Sequence, residues 1–385
     1  MQHSATRLCV PFPSLRWEAQ AKCAAILILL LMAVLLAGCG TRPTDAVLAP
    51  VALKEKPWRQ VTIYAVTTRT PNEDGRGFDS GRAEDVRYMR YTLSIPRSHE
   101  PGNIEYPDRK PDPEKSFTVI AAEQISHAAF LQAIAKSRAQ DKEVGVFVHG
   151  FNYTFQESLF RMAQMAADAN VDGVSVLFAW PSEGELRGYI ADKDSATYSR
   201  DQLTHLLDDL TRSHSGRTVV IGHSMGGWLT MEALRQLRLT GQDRALNHLS
   251  VILAAPDIDV DVFRAQLKVV GRLRTPLVLL VSPDDRALYL SSLLAGDERA
   301  GSININDPLI NKAVVRANVT VVDISELTSS DGTNHDRFKE LAAIYPKLKA
   351  DAQVNKVQQA GVFVFNAVNN TLFSPFTAAA AATRQ

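Results

Sequence analysis

After residue 39 the sequence has no cysteine: the three it contains are Cys9, Cys23 and Cys39. That excludes a disulfide framework and a cysteine-held metal from the rest of the chain. A dominant charge sign is also missing. Lys and Arg number 42, Asp and Glu number 42, and the formal net charge is zero, so a nucleic-acid partner has no electrostatic footprint. Past residue 38 no apolar run approaches the roughly 18 residues that a membrane-spanning helix needs. What is there, 45% hydrophobic and 22% charged residues over 385 positions, is an ordinary globular composition. It is long enough to bury one large core or two smaller ones. No motif calls for a metal or a cofactor.

The one long apolar run is "AAILILLLMAVLLAG", residues 24–38, with Arg16 and Lys22 before it. Its length suits the hydrophobic region of a signal peptide better than a bilayer span, the alternative being an uncleaved N-terminal anchor. It ends "LLAGCG", which resembles the lipobox of bacterial lipoproteins. That resemblance implies cleavage between Gly38 and Cys39, with Cys39 as the lipidated N-terminus. Acyl chains there would hold the protein on a membrane at about 0.8 kcal/mol per buried methylene. An Asp after the Cys would resemble an inner-membrane retention signal. Gly40 and Thr41 stand there instead, which directs the expectation to the outer membrane of a bacterial envelope, facing the periplasm. The expected organisation is a signal peptide over 1–38, a flexible tether over 39–58, a folded domain over 59–350, and a C-terminal extension over 351–385 with the low-complexity end "TAAAAATRQ".

Three strand-like runs open the folded part: "VTIYAVTT" (61–68), "RYMRYTLSI" (87–95) and "FTVIAAE" (117–123), separated by loops at 71–85 and 96–116. From about residue 125 helical and strand patterns alternate. The strands are "VGVFVHG", "GVSVLFAW", "RTVVIG", "LSVILAAP", "TPLVLLVS" and "NVTVVDI", with an amphipathic stretch at 195–213. Nearly continuous apolar strands alternating with helices predict a mostly parallel sheet buried on both faces.

At "VVIGHSMGGWL", residues 219–229, a β-branched run ends in Gly222-His223-Ser224-Met225-Gly226 and a helical pattern begins. This is the nucleophile elbow, in which a Ser on a sharp strand-to-helix turn projects its hydroxyl above the sheet. Glycines flank it where a Cβ would clash. The following helix points its N-terminal N–H groups at the place where negative charge develops. A serine hydroxyl is a weak nucleophile and needs a base and a group that orients the base. On such an elbow these follow in the order Ser, acid, His. His335 lies in "SELTSSDGTNHDRF", and His248 immediately precedes a strand, at the wrong end of the sheet, so His335 is the base by elimination. For the acid, "VSPDDRAL" offers Asp285, the preferred candidate, and Asp284, a turn or cap residue. Asp257 in "LAAPDID" is a second candidate or a helix cap. The Met225 N–H and the Phe151 N–H after "VHG" are the expected oxyanion donors, with His149 and Gly150 supporting that loop and His223 supporting the elbow.

These segments, together with "VFVHGFNYTF" and "FAWPSEGELRGYIADKDSA", resemble the α/β-hydrolase fold. More narrowly, they are similar to a bacterial family of esterase/lipase-like domains of unknown function. The resemblance spans residues 60–345 and implies Ser224, Asp285 and His335 as a triad but no substrate; the Ser, Asp, His order along the chain supports a serine hydrolase cleaving a carboxylic ester or related acyl bond of a small molecule or lipid. Trp180, Pro181, Ser182, Tyr189 and Asp194 are expected along one side of the site. The short link between 256 and 275 leaves no room for a large lid, though 183–198 and the N-terminal strands can form a small cover. An acyltransferase would use the same residues. A catalytically silent envelope protein using the fold as a binding scaffold is the competing reading.

Overall fold

The computed structural model describes residues 42–107, 111–140, 142–170, 173–212, 217–304, 318–327, 329, 331–340 and two short strands at 364–365 and 372–373. Cys39, the segment 1–38 expected to be a signal peptide and nearly all of the extension 351–385 lie outside them.

Nine strands form one sheet: β1 (Arg59–Pro71), β2 (Phe78–Ile95), β3 (Thr118–Ile125), β4 (Val144–Val148), β5 (Val174–Ala179), β6 (Thr218–His223), β7 (Leu249–Ala254), β8 (Leu277–Val281) and β9 (Val319–Asp323). Their order across the sheet is β3-β2-β1-β5-β4-β6-β7-β8-β9. Only β2 runs against the rest, paired antiparallel with β1 and β3, while β1 pairs parallel with β5. The helices are α1 (His127–Arg138), α2 (Phe155–Asp168), α3 (Tyr189–Tyr198), α4 (Arg200–Thr211), α5 (Met225–Leu239), α6 (Asp243–His248), α7 (Val260–Val270) and α8 (Arg286–Ala295). The expected parallel α/β architecture is what the chain adopts.

Side chains alternate across a strand, and the apolar runs therefore feed two cores. Val146, Val148, Val176 and Phe178 join Leu203 and Leu207 of α4 and Leu229 and Leu234 of α5 on one face. Phe147, Leu177 and Ala179 join Phe155, Leu159 and Phe160 of α2 on the other. Helix starts are locally encoded. Thr154 and Glu157 form a reciprocal capping box on α2, in which each satisfies a backbone N–H that the first turn leaves open.

Three boundaries differ from expectation. Strand β2 begins at Phe78, so 78–85 belongs to a long hairpin rather than a loop. Its register shifts twice near the turn, at Arg69↔Arg82 and Pro71↔Phe78, which obscures the alternation. The stretch read as one amphipathic unit breaks at Ser199, whose hydroxyl turns back to the Ser195 carbonyl at 2.9 Å and meets Thr68 Oγ1 at 2.8 Å. The tether also ends earlier than 58. Asp45–Leu48 form a 3₁₀ turn with Val47 and Leu48 buried, and the Val51 N–H donates to the Val119 carbonyl at 2.9 Å.

Candidate active site

The parallel strands all end on one edge of the sheet, where open α/β sheets place their ligands. Ser224 stands at the end of β6 with φ 54° and ψ −121°. A side-chain-bearing residue in such a conformation carries about 1–3 kcal/mol of strain and persists only when its surroundings over-determine it. Here the Ser224 N–H donates to Ala254 O at 3.0 Å, and its carbonyl accepts from Gly227 at 2.9 Å and Asp257 at 3.1 Å. The two motif glycines are steric requirements. A Cβ on Gly226 would run into the Val148 and His149 carbonyl oxygens, and one on Gly222 would lie 2.6 Å from Thr230 Oγ1.

The loop after β4 closes over the elbow. A Cβ on Gly150 would sit 2.9 Å from Ser224 Cβ, so this loop and the serine are in direct apposition. The backbone N–H groups of Phe151 and Met225, the expected oxyanion donors, donate to no other backbone carbonyl outside helices and strands among the described residues. His149 is a core residue, as expected. It stacks on Trp180 at 4.8 Å, its Nε2 faces the Trp180 carbonyl, and the Trp180 indole N–H donates to His149 O at 2.8 Å. Burial, with the charge of Arg69, takes its pKa down to about 3, so it stays neutral. His223 is likewise packing. It is buried and stacked on Phe338 at 4.2 Å.

His335 arrives from the loop after β9. Its Nδ1 lies 2.7 Å from Asp285 Oδ2, and its ring centroid is 4.7 Å from that of His223, the neighbour of Ser224. Its Nε2 makes no hydrogen bond to Ser224 Oγ among the described residues, and such bonds are commonly long in unliganded sites. Burial pulls the imidazole pKa down, but the Asp285 carboxylate more than offsets this, and the pKa is raised above 6.5. The other oxygen of Asp285 accepts from Leu288 N–H at 2.9 Å, so the same carboxylate caps α8.

The remaining two acids have other partners. Asp284, expected as a turn or cap residue, binds the His335 loop. It accepts from Arg337, from Asn334 Nδ2 at 3.0 Å and from Ser282 Oγ at 2.8 Å, and the Arg337 bond holds its pKa down at about 2. Asp257 accepts from Tyr189 Oη at 2.8 Å and Ser291 Oγ at 2.7 Å, and lies 3.3 Å from Arg299 Nε. It is not the helix cap either, because Asp259 caps α7.

The segment after β5, expected to line the site, mixes buried and exposed positions. Trp180, Pro181 and Ser182 are buried and Asp194 is exposed. The acid that matters there is Asp192. It accepts from Ser182 Oγ at 2.5 Å and Glu183 N at 2.7 Å, and Ser182 Oγ accepts from Tyr153 N at 3.2 Å. Arg69 donates to the Tyr153 carbonyl at 2.7 Å, tying the loop after β4 to β1. Neither Asp192 nor Arg69 was singled out in the sequence. A helical reading of 189–199 would have found the first, since Asp192, Ser195, Ala196 and Ser199 form one inward stripe.

The sheet, the crossovers and the elbow define an α/β-hydrolase fold. Residues 124–352 match the family described as "Alpha/beta hydrolase of unknown function (DUF900)", and the chain belongs to that family. No curated protein matches it. Among solved structures it is similar to a dienelactone hydrolase from Anabaena variabilis ATCC 29413, at 14% identity and TM-score 0.36, covering 71% of this chain and 96% of that one. It is also similar to the esterase Est22, at 12% identity and TM-score 0.36, covering 77% and 81%.

Proposed function

We propose that the protein is a serine hydrolase that cleaves a carboxylic ester or related acyl bond. The observation that carries this reading is the strained Ser224 elbow beside an imidazole whose Nδ1 is held 2.7 Å from a buried carboxylate. In this reading His335 accepts the Ser224 proton as Oγ attacks the acyl carbon, with Asp285 fixing the tautomer that leaves Nε2 free to accept it. The Met225 and Phe151 N–H groups stabilise the developing oxyanion. His335 then returns its proton to the leaving alcohol, and water hydrolyses the acyl-Ser224 intermediate by the same steps in reverse. An acyltransferase would differ only in the group that attacks last. The chain is proposed to be held on an envelope membrane through lipid on Cys39, facing the periplasm.

A fluorophosphonate should label the purified protein on Ser224, and Ser224→Ala should abolish both labelling and ester turnover while leaving the circular dichroism spectrum unchanged. Undiminished turnover by the variant would remove Ser224 from the mechanism, and a protein that neither labels nor turns over any ester would favour a silent scaffold. Cys39→Ser should block lipidation. If the wild-type protein carries no lipid and keeps residues 24–38 in an alkali-resistant membrane fraction, that segment is an anchor and the lipoprotein reading fails.

A further inference from the structure

Helix α8, "RALYLSSLLA", is apolar nearly all round, a pattern expected of a buried helix. Only one side of it is covered. Leu288 and Ser291 face inward, whereas Tyr289 with Leu293 and Leu290 with Leu294 recur at helical spacing on the outer side. Beside them, Leu186 and Ile190 flank Tyr189. These six side chains are 58–79% exposed. The two groups are neighbours because the Tyr189 hydroxyl meets Ser291 Oγ at 3.0 Å. Exposed apolar side chains gathered on neighbouring elements in this way mark an interaction site. Arg187 at its margin already pairs with Glu185 at 2.7 Å, so apolar area rather than charge is what the patch offers a partner.

Its position names the partner. Helix α8 starts at Asp285, on the edge of the sheet that carries Ser224. The docked N-terminal segment begins at the same edge and runs from there to Val51, beside Val119 at the opposite edge. Asp45 accepts from Asn72 in the turn between β1 and β2. That turn is at this end because β1 runs parallel to β5, and Ser80 just past it donates to Glu183 at 3.1 Å, in the segment leading to Leu186. Six residue steps separate Cys39 from Asp45, about 20 Å at full extension. A bilayer holding the chain at Cys39 can therefore be no farther than about 20 Å from Asp45, at the edge of the sheet that carries the site.

We propose that the outer face of α8 together with Leu186 and Ile190 is a second membrane contact, which seats the site mouth on the bilayer and gives Ser224 access to membrane-borne esters. This rests on the proposed membrane anchoring. The test uses the full-length anchored protein in phosphatidylethanolamine/phosphatidylglycerol vesicles with brominated acyl chains. A tryptophan is added by Leu293→Trp or, as a control, by Leu239→Trp at the far end of α5, which runs from Ser224 back to the opposite edge. After subtraction of the parent signal, Leu293→Trp should lose about half of its fluorescence or more, as for a side chain about 5–10 Å into the headgroup–acyl boundary, and Leu239→Trp should lose none. Leu290→Ser with Leu293→Ser and Leu294→Ser should lower turnover of a vesicle-embedded ester severalfold and leave that of a soluble short-chain ester unchanged. Equal quenching at both positions in vesicle-bound protein overturns the patch alone, including the case where Leu293 is shielded by a protein partner. Protein absent from the vesicle fraction overturns patch and anchor together. A protein that hydrolyses neither ester overturns the hydrolase reading, and the quenching then still decides the patch.

Discussion

At the residue scale the three acids near the imidazole separate by their partners. Asp285→Asn removes the carboxylate facing His335 Nδ1, and turnover should fall by several orders of magnitude, about 10⁴-fold having been measured in a well-characterised triad. Asp257→Asn leaves Arg299 and Tyr189 without a charged acceptor. It should lower stability by about 1–3 kcal/mol and cut turnover far less. The reverse ranking in steady-state kinetics would transfer the acid role to Asp257. The raised pKa of His335 fixes the direction of the pH profile. The imidazole must be neutral to accept a proton, so kcat/KM should fall toward acid with a midpoint above about 6.5, the ordinary His value, and a limb centred near pH 4 would contradict a histidine base. Ser224, Asp285 and His335 were legible because the elbow is a local pattern and chain order constrains the rest. Asp192, Arg69 and the Asp284–Arg337 pair were not. Their partners lie from 9 to 84 residues away; the helical stripe of 189–199 marks Asp192 as inward-facing, but nothing in the sequence pairs these side chains before folding.

At the scale of elements, the His335 loop is latched to the loop after β8. The Arg286 N–H donates to Thr333 O at 2.9 Å, Asn334 binds Asp284, and Arg337 reaches both Asp284 and the Leu327 carbonyl. Asn334 takes φ 67° just before the histidine, a conformation that Asn tolerates better than most residues. Asp284→Ala should loosen this latch without touching the Asp285–His335 pair. Half of the Asp284 side chain faces water, so the stability loss should be on the order of 1 kcal/mol after solvent screening. The larger effect should be on kcat, with KM little changed, and an unaltered kcat would show that the loop holds its place without the pair. The element boundaries that the sequence misplaced have the same origin. Register shifts in β2 and the Ser195–Ser199 back-bond interrupt a period without changing composition, so hydropathy alone ran past them.

At the scale of the whole molecule, pH should act on stability through a group far from the chemistry. His99 bridges Glu105 and Asp168 at 2.8 and 2.7 Å. Burial opposes its charge, but the two carboxylates outweigh burial and its pKa is raised. A raised folded-state pKa adds stability that is complete below the unfolded value of about 6.5 and is lost as pH rises through the folded value. Thermal unfolding of the wild type should therefore weaken over that window, and His99→Gln should flatten the dependence. An unchanged slope would place the effect elsewhere. The placement of β9 as an edge strand of the sheet has a kinetic counterpart. The proposed base hangs from the last strand of this sheet to be synthesised, one of its two edge strands, while nucleophile and oxyanion loop sit at the centre. Edge strands open at lower free energy than the interior, so warming should silence the enzyme by releasing one strand while the central strands still hold. A nascent chain that has passed β8 but not reached residue 335 would carry a formed elbow with nothing to switch it on.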